Sequence, residues 1–488
     1  MKRVRRIPLA GRLIALLACV NALAWGLIVP PFQVPDEPAH LYYAQYLGET
    51  GELPVHAGGV PTYAPDISAV LGVQGFAGVI GHPDNPVPAT GFDRLTLRNA
   101  QAGDQDRRGG GNAATASNNP PLYYLVEAGA YRLFHWDDVT GRLAVMRAIS
   151  ALMAGLTTLC VFLFLRELLP RSPLSWAVGA LAAGLQPTFA FISGGVNNDA
   201  GLYLASAALF LAVARVLRRG LTVRRAIAVG LLLALGTLVK TQVLAFAPGV
   251  ALALLVAAWR GRADDPRPWR PFAAAVCAGA VPLAIYGILG MTLWDRPLID
   301  RASDVSTAGG VAGRPWQIKE QVSYAWQLFL PRTPNLQDLL PGFPPYDLWL
   351  HGFIGRFGWL DYDVPAWMYP FARDVFIAVA VLAIVALVQR RRSLRPRPWP
   401  EIAVFAVMMG GLLAAIAIGG YRARISNAPP FEQARYLLPL LPLYALFPAT
   451  ALKALPARFA PALGALLVSG VLVHGVVAML VTLQRYYG

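Results

Sequence analysis

The chain has 488 residues, of which 56% are hydrophobic and only 14% are charged, and its mean hydropathy is positive at +0.48. This composition excludes an ordinary soluble globular domain. The formal net charge of +15 does not indicate nucleic-acid binding, because the basic residues cluster in short gaps between apolar runs, at 218–225, 260–270 and 389–400. Such clusters are typical of cytoplasmic loops. The composition therefore predicts an all-α polytopic membrane protein.

Apolar stretches long enough to cross about 30 Å of hydrocarbon recur along most of the sequence. About eleven transmembrane helices are predicted, at 9–30, 144–165, 174–194, 200–217, 226–240, 242–259, 271–294, 372–389, 401–420, 435–452 and 460–482. With a cytoplasmic N-terminus, the basic clusters fall in alternate gaps on the inner side. No internal repeat is visible, so the sequence gives no support to an inverted-repeat transporter.

The first apolar run, at 9–30, admits two interpretations. It follows a basic head and contains "ALA" at 22–24, as a cleaved signal peptide would. The run is longer than the usual signal-peptide core of about 7 to 15 residues, and it delivers an acidic motif to the outer side. Both features favour an uncleaved first helix.

Two long polar segments are predicted on the outer side. The first, 31–142, contains two helical patterns, "DEPAHLYYAQYL" from Asp36 and "PPLYYLVEAGAYRLF" at 120–134. Both are too short and too polar to cross the bilayer, so they are predicted to lie along the membrane surface. The second segment, 295–371, is rich in proline and is predicted to contain short amphipathic helices.

The motif "VPDEPAH" places two carboxylates and a histidine where the first helix leaves the membrane. Asp36 has the position of an N-cap, and Pro38 is tolerated in a first helical turn. A carboxylate at this boundary suits a general base or a metal ligand. His40 lies one turn beyond Asp36 on the same helix face. The alternative is a capping carboxylate with a surface histidine.

Three further polar positions fall in an outer segment or at the outer ends of predicted spans. Asn119 lies in "NNPPLYY" and Asp199 in "GGVNNDAG", where a helix entry and a turn are the simple explanations. Lys240, in "GTLVKTQVLAF", lies between two apolar runs that are joined by almost no loop. An ionisable residue near membrane depth indicates function, with snorkelling to the headgroups as the alternative.

The motif "FEQARYLLPLLP" places a cation, Arg435, on the outer side, against the inward bias of basic residues. A guanidinium fork suits a phosphate oxyanion. A structural partnership with Glu432 or Asp199 is the competing interpretation. Cations near the membrane and carboxylates at the first helix together indicate a lipid phosphate with a leaving group to be displaced, where the cations stabilise the departing charge.

The order "PDEPAHLYYAQYL", then "NNPPLYYLVEAGAYRLF", resembles the GT-C superfamily of integral-membrane glycosyltransferases, which use polyprenyl-phosphate-linked sugars. In that family a first helix leads to an outer loop with an acidic motif, a membrane-surface helix and a "PPL" element before the second span. The resemblance covers about 1–260 in arrangement. "VNND", the lysine of "LVKTQ" and "EQARYLLP" extend it over most of the chain, to a bacterial subgroup of membrane proteins.

The resemblance implies catalytic roles for Asp36, as the family's acidic position, and for its neighbour Glu37. Asn119 stands where the family often has His or Lys before "PP". The residues predicted to bind substrate are His40, Asn119, Asp199, Lys240, Gln433, Arg435 and Tyr436. The sequence shows no dedicated metal constellation, and a divalent cation is an alternative that it leaves open.

The sequence and the resemblance together predict a glycosyltransferase of the bacterial cytoplasmic membrane with its active site on the outer face. The donor would be a polyprenyl-phosphate sugar and the acceptor an envelope glycan, lipid or protein, with the bilayer as a further partner and no nucleic acid. The predicted division is 1–260, a catalytic transmembrane module, and 261–488, a C-terminal transmembrane region. The alternative function is a transporter or flippase of a lipid-linked glycan, marked by charges at mid-bilayer and broken helices.

Overall fold

The protein is described here from a computed structural model, and it is almost entirely helical. The residues that the structure describes are 7–54, 62–87, 99–100, 114–261, 267, 269–294, 314–333, 339, 345–390, 398–426 and 432–488. The helices of the first half are α1 (Leu9–Ile28), α2 (Glu37–Thr50), α3 (Pro65–Val73), α4 (Phe76–Val79), α5 (Ala114–Ser117), α6 (Leu122–Leu133), α7 (Val139–Leu168), α8 (Pro173–Gly184), α9 (Pro187–Ser193) and α10 (Asn198–Arg219).

The second half continues the same architecture. Its α-helices are α11 (Val223–Val239), α12 (Ala247–Gly261), α13 (Trp269–Leu293), α14 (Ile318–Phe329), α15 (Gly352–Gly355), α16 (Met368–Arg390), α17 (Trp399–Ile425), α18 (Leu441–Ala451) and α19 (Ala460–Tyr487). Two 3-10 helices (Thr241–Phe246 and Ala434–Leu440), a π-helical turn (Asp347–His351) and two short strands, β1 (Arg356–Phe357) and β2 (Tyr362–Asp363), complete it. The strands pair antiparallel as a hairpin.

The predicted polytopic all-α membrane protein is confirmed. Among the described residues, eight helices are long and apolar enough to cross a membrane, namely α1, α7, α10, Thr241–Gly261, α13, α16, α17 and α19. Helices α8 and α9 make a ninth span if they count as one, bent by 59°. The bend falls before Pro187, whose ring removes a backbone donor from the helical ladder.

The predicted count of eleven is not confirmed, because the two remaining spans are shorter or interrupted. Helix α11, predicted at 226–240, has 17 residues and is therefore about 26 Å long. The predicted span 435–452 divides into the 3-10 helix Ala434–Leu440 and α18. Pro439 and Pro442 lie at this division, and neither residue can donate a backbone hydrogen bond to a continuous helix.

Small residues let α1 pack closely against its neighbours. A side-chain carbon on Gly194 would lie 2.7 Å from the Ala22 carbonyl oxygen, and one on Gly155 would lie 2.8 Å from that of Ala15. Helices in membranes rely on such close backbone contact, since lipid provides no hydrophobic drive for association. The packing fixes α1 against both α7 and the turn that joins α9 to α10.

The two helices predicted in 31–142 are present as α2 and α6, and they pack on each other. Every residue of α2 from Glu37 to Gly48 is buried. The rings of Tyr43 and Tyr124 stack at a centroid distance of 3.7 Å across the helix pair. Protein therefore encloses α2, and the turn between α1 and α2 is held from several sides.

Helix α6 also carries a buried carboxyl group, Glu127, that no cation faces among the described residues. The Ser150 hydroxyl lies 3.3 Å from one Glu127 oxygen and 2.9 Å from the Tyr123 hydroxyl. Burial raises the pKa of Glu127 to about 8, against the opposing effect of these hydrogen bonds. The folded protein therefore holds a proton on Glu127 at neutral pH.

We expect Glu127→Gln to flatten the dependence of stability on pH between pH 6.5 and 8. In this range an unfolded chain has released the Glu127 proton that the folded chain retains, so the wild type loses stability as the pH rises. Glutamine has no proton to release. The check is the apparent Tm in detergent at both pH values, and equal falls in wild type and variant would contradict the expectation.

Candidate active site

The turn between α1 and α2 holds Asp36 in an uncommon backbone conformation. Its φ is +64°, in the left-handed region, which aspartate tolerates better than most residues. The His40 amide donates to the Asp36 carbonyl oxygen at 3.1 Å, so these residues lie one helical turn apart, as predicted. The Asp36 side chain makes no capping hydrogen bond, and the predicted capping role is wrong for the carboxylate. The carboxylate is directed to another part of the chain.

Asp36 belongs to a cluster of two carboxylates and two cations. Its Oδ2 lies 2.6 Å from Arg435 Nη2. Arg435 Nε lies 3.6 Å from Asp199 Oδ2, and Lys240 Nζ lies 2.5 Å from Asp199 Oδ1. Four segments that are remote in sequence thus contribute one residue each. Below, "the charged cluster" means Asp36, Asp199, Lys240 and Arg435.

Local structure explains why each of the other three members points inward. Asp199 lies in the first turn of α10, where the helix dipole stabilises a negative charge. The Asn197 side chain caps that turn by accepting a hydrogen bond from the Asp199 amide at 2.9 Å. The Asn197 amide group also donates to the Pro35 carbonyl at 3.0 Å, which joins the start of α10 to the Asp36 turn. Lys240 ends α11, and Arg435 lies in the second 3-10 helix.

The charged cluster is buried at its centre and open at its edge. The Asp199 and Arg435 side chains are 0% and 6% exposed, whereas those of Lys240 and Asp36 are 20% and 24% exposed. Burial alone would raise the pKa of Asp36, but Arg435 and His40 oppose it and the net pKa lies below the ordinary value. Asp36 is therefore ionised, and an incoming molecule meets Asp36 and Lys240 first.

Two of the remaining residues predicted to bind substrate, Gln433 and Tyr436, lie at the 3-10 helix that carries Arg435. The Tyr436 ring lies 5.5 Å from Lys240 Nζ and 5.4 Å from Arg435 Cζ, within the range of cation–π contact. Gln433 directly precedes the 3-10 helix of Arg435, and its side-chain oxygen is buried without a hydrogen-bond partner in the described part of the chain. The "EQARYLLP" motif thus contributes three polar side chains to one region.

His40 and Asn119 lie on the α2 and α6 side. His40 Nδ1 lies 2.8 Å from the Tyr124 hydroxyl, so the hydrogen-bond partner of this ring is Tyr124 and not Asp36. Burial lowers the pKa of His40 to about 4, and the ring is neutral at physiological pH. The Asn119 carbonyl accepts from the Tyr43 hydroxyl at 3.2 Å, and its side chain donates to Ala116 at 3.1 Å.

Glu37, predicted as a second catalytic carboxylate, lies outside the charged cluster and is fully occupied. It is 0% exposed, and Arg147 donates to its two oxygens at 2.8 and 2.6 Å. The amides of Phe32 and Val196 donate to the same oxygens at 2.8 and 2.9 Å. All four contacts fix the turn that precedes Asp36.

Arg147 is the most important residue that the sequence interpretation missed. Besides Glu37, it donates to the carbonyls of Gly26 and Val29 at 2.8 Å each and to that of Pro30 at 3.0 Å. These carbonyls end α1 and have no partner within the helix. An arginine within an apolar run was the available signal, because such a charge is costly unless it is paired.

A second missed contact comes from the hairpin of β1 and β2. The Trp359 indole donates to the Phe32 carbonyl oxygen at 3.0 Å. Phe32, at φ +69°, is the other residue of this turn with a left-handed backbone. The hairpin therefore supports the same turn as Arg147, although the two lie far apart in sequence. The motif "GRFGWLDYDVP" contains Trp359, but nothing in its letters indicates this partner.

No group of three or more metal-ligating side chains is present within the described ranges. The two carboxylates of the charged cluster each face a cation already, so a divalent ion at either one would compete with Arg435 or Lys240.

Fold and site together define a multi-pass helical membrane protein with a buried charged cluster at one end of its helices. The model of a family described as "Predicted membrane protein (DUF2142)" matches residues 19–444. The chain belongs to this family. No curated protein matches the sequence.

Two solved structures are similar over nearly the whole chain. ArnT from Cupriavidus metallidurans is 13% identical, with 97% of this chain and 74% of that chain covered and a TM-score of 0.45. The oligosaccharyltransferase of Archaeoglobus fulgidus is 14% identical, with 98% and 56% covered and a TM-score of 0.43. This chain therefore spans little more than half the length of the second structure.

Proposed function

We propose that this protein is a glycosyltransferase that moves a sugar from a polyprenyl-phosphate donor to an envelope glycan, lipid or protein. The observation that carries the proposal is the charged cluster, which sets an accessible carboxylate beside a buried arginine and a lysine. The resemblance of "PDEPAH" and "NNPPLYY" to GT-C enzymes supports the same activity. The basic clusters in the sequence favour a cytoplasmic N-terminus, and in the proposed orientation the charged cluster faces the outer side of the bacterial cytoplasmic membrane.

In the proposed reaction Asp36 is the general base. Its carboxylate takes the proton from an acceptor hydroxyl, and the acceptor oxygen forms a bond to the anomeric carbon of the donor sugar. The bond between that carbon and the phosphate oxygen breaks, and its electron pair leaves with the polyprenyl phosphate. Lys240 and Arg435 stabilise the negative charge on the leaving phosphate in a site with little water.

The other predicted residues have supporting roles in this proposal. Glu37 holds the Asp36 turn through Arg147, and Tyr436 lies against both cations. His40, Asn119 and Gln433 shape the side of the site formed by α2, α6 and the 3-10 helix. In this proposal the catalytic site is not confined to the first region, 1–260. Arg435 comes from the second region, 261–488, and completes the site.

A transporter or flippase of a lipid-linked glycan is the second candidate. The observation that favours it is the 59° bend between α8 and α9, since broken helices are common in transporters. In that function the charged cluster would guide a phosphate without cleaving a bond. The two functions therefore differ in whether a glycosidic bond is broken.

The test uses the purified full-length protein in proteoliposomes with a panel of radiolabelled polyprenyl-phosphate sugars and an envelope extract. We expect label to move from lipid to acceptor with at least one donor. If the label stays on the lipid while the lipid crosses the vesicle bilayer, the transporter takes the place of the glycosyltransferase. If neither event occurs with any donor, the proposed function fails.

A further inference from the structure

The charged cluster is already balanced before any ligand binds. Arg435 pairs with Asp36 at 2.6 Å, and Lys240 pairs with Asp199 at 2.5 Å. The two cations and two carboxylates have a formal sum of zero. A phosphate that enters this cluster finds no uncommitted cation in it, so it has to compete with one of the carboxylates.

The pattern of exposure shows which carboxylate gives way. Asp199 is 0% exposed and touches both cations, so it cannot leave without disrupting the start of α10. Arg435 Nε and Nη1 are buried and have no hydrogen-bond partner among the residues that the structure describes. Its third guanidinium nitrogen, Nη2, is the one that donates to Asp36. Asp36 and Lys240 are the partly exposed members of the cluster, and of the two carboxylates it is therefore Asp36 that can give way to a ligand.

The same pair is unsuited to catalysis as it stands. A carboxylate that accepts a short, charge-assisted hydrogen bond from a guanidinium is stabilised in its ionised form and accepts a proton poorly. The lowered pKa of Asp36 agrees with this geometry. Separation of Asp36 from Arg435 would make the carboxylate a stronger base. The same separation would free the guanidinium to bind a phosphate, so one event would meet both requirements.

We propose that the phosphate of the donor displaces Asp36 from Arg435, so that Asp36 becomes a general base only when a donor is bound. This inference rests on the proposed function and adds an order of events to it. The donor binds first, its phosphate takes over the Arg435 fork, and the released carboxylate then meets the acceptor hydroxyl. The unliganded enzyme has its base masked.

The test measures the binding of farnesyl phosphate, a short isoprenoid phosphate monoester, to the detergent-purified full-length protein. Asp36→Asn removes the competitor for Arg435, and we expect it to bind farnesyl phosphate at least tenfold more tightly than the wild type does. The matched control is Asp374→Asn, which breaks a surface pair with Arg373 at 2.8 Å. The control is expected to bind as the wild type does.

Inorganic phosphate provides a second arm. If Asp36→Asn binds inorganic phosphate and farnesyl phosphate more tightly by the same factor, the site recognises the phosphate group from either source. Tightening for farnesyl phosphate alone assigns the site to lipid-borne phosphate. Both outcomes support displacement of Asp36, whereas unchanged or weaker binding by Asp36→Asn overturns it.

Infrared difference spectra of the wild type keep the inference testable if Asp36→Asn does not fold. Farnesyl phosphate is expected to shift a carboxylate stretching band, because a carboxylate loses its guanidinium partner. An unchanged carboxylate region would refute the displacement. These binding results are independent of the transfer assay, so failure of the inference and failure of the proposed function are told apart.

Discussion

Asp36→Asn is expected to reduce sugar transfer by about 10³-fold, the usual contribution of a positioned general base. The amide has nearly the same shape as the carboxylate but cannot take a proton from the acceptor. The loss should appear in kcat measured at saturating donor. Donor binding should not weaken, because Arg435 and Lys240 remain and the carboxylate that competes for Arg435 is gone.

Asp374→Asn is the matched control for this experiment, since it makes the same chemical change in a surface Asp–Arg pair. Its transfer rate should equal that of the wild type. Transfer by Asp36→Asn within a few fold of the wild-type rate would remove Asp36 from the chemistry. Another acid or base would then have to be sought around the cluster.

Arg147→Met is expected to destabilise the protein by about 3 to 5 kcal/mol, the usual cost of removing one partner from a buried ion pair. The substitution leaves the Glu37 charge buried and takes three hydrogen bonds from the end of α1. The effect should appear as a large fall in apparent Tm and in the yield of folded protein in detergent.

Arg219→Met is the matched control, because Arg219 pairs with Glu167 but is 47% exposed. Exposed pairs contribute about 0 to 1 kcal/mol, so its Tm should change little. If Arg147→Met and Arg219→Met lowered the apparent Tm equally, the pair of Arg147 and Glu37 would not be what holds the Asp36 turn.

The members of the charged cluster were predictable one by one, since each is a polar residue beside an apolar run. Their pairing was predictable only in part: the contact of Arg435 with Asp199 was one of two structural alternatives, and the structure has these two side chains 3.6 Å apart. Nothing in the sequence indicates that Asp36 and Arg435, 399 positions apart, lie within hydrogen-bond distance. Pairing depends on how the helices pack, and a single sequence with evenly apolar helices holds little information about that.

The division of labour between neighbouring carboxylates was equally hidden. Asp36 and Glu37 are adjacent and chemically alike, yet one joins the charged cluster and the other binds Arg147. The left-handed backbone at Asp36 turns the two side chains in different directions, and that conformation has no sequence signature in aspartate. The number of spans was uncertain for a related reason, since the prolines of 435–452 interrupt a helix that hydropathy alone presents as continuous.

The hydrogen bond from Trp359 to Phe32 has a consequence for how this protein tolerates change. Surface hairpins usually accept insertions and exchange between relatives, because little depends on their exact shape. Here the hairpin donates to the carbonyl of Phe32, which lies four residues before Asp36, and the N–H of the same residue donates to Glu37. Lengthening the hairpin by even one residue would therefore shift the turn that carries Asp36, and a different hairpin in its place would change the position of that carboxylate.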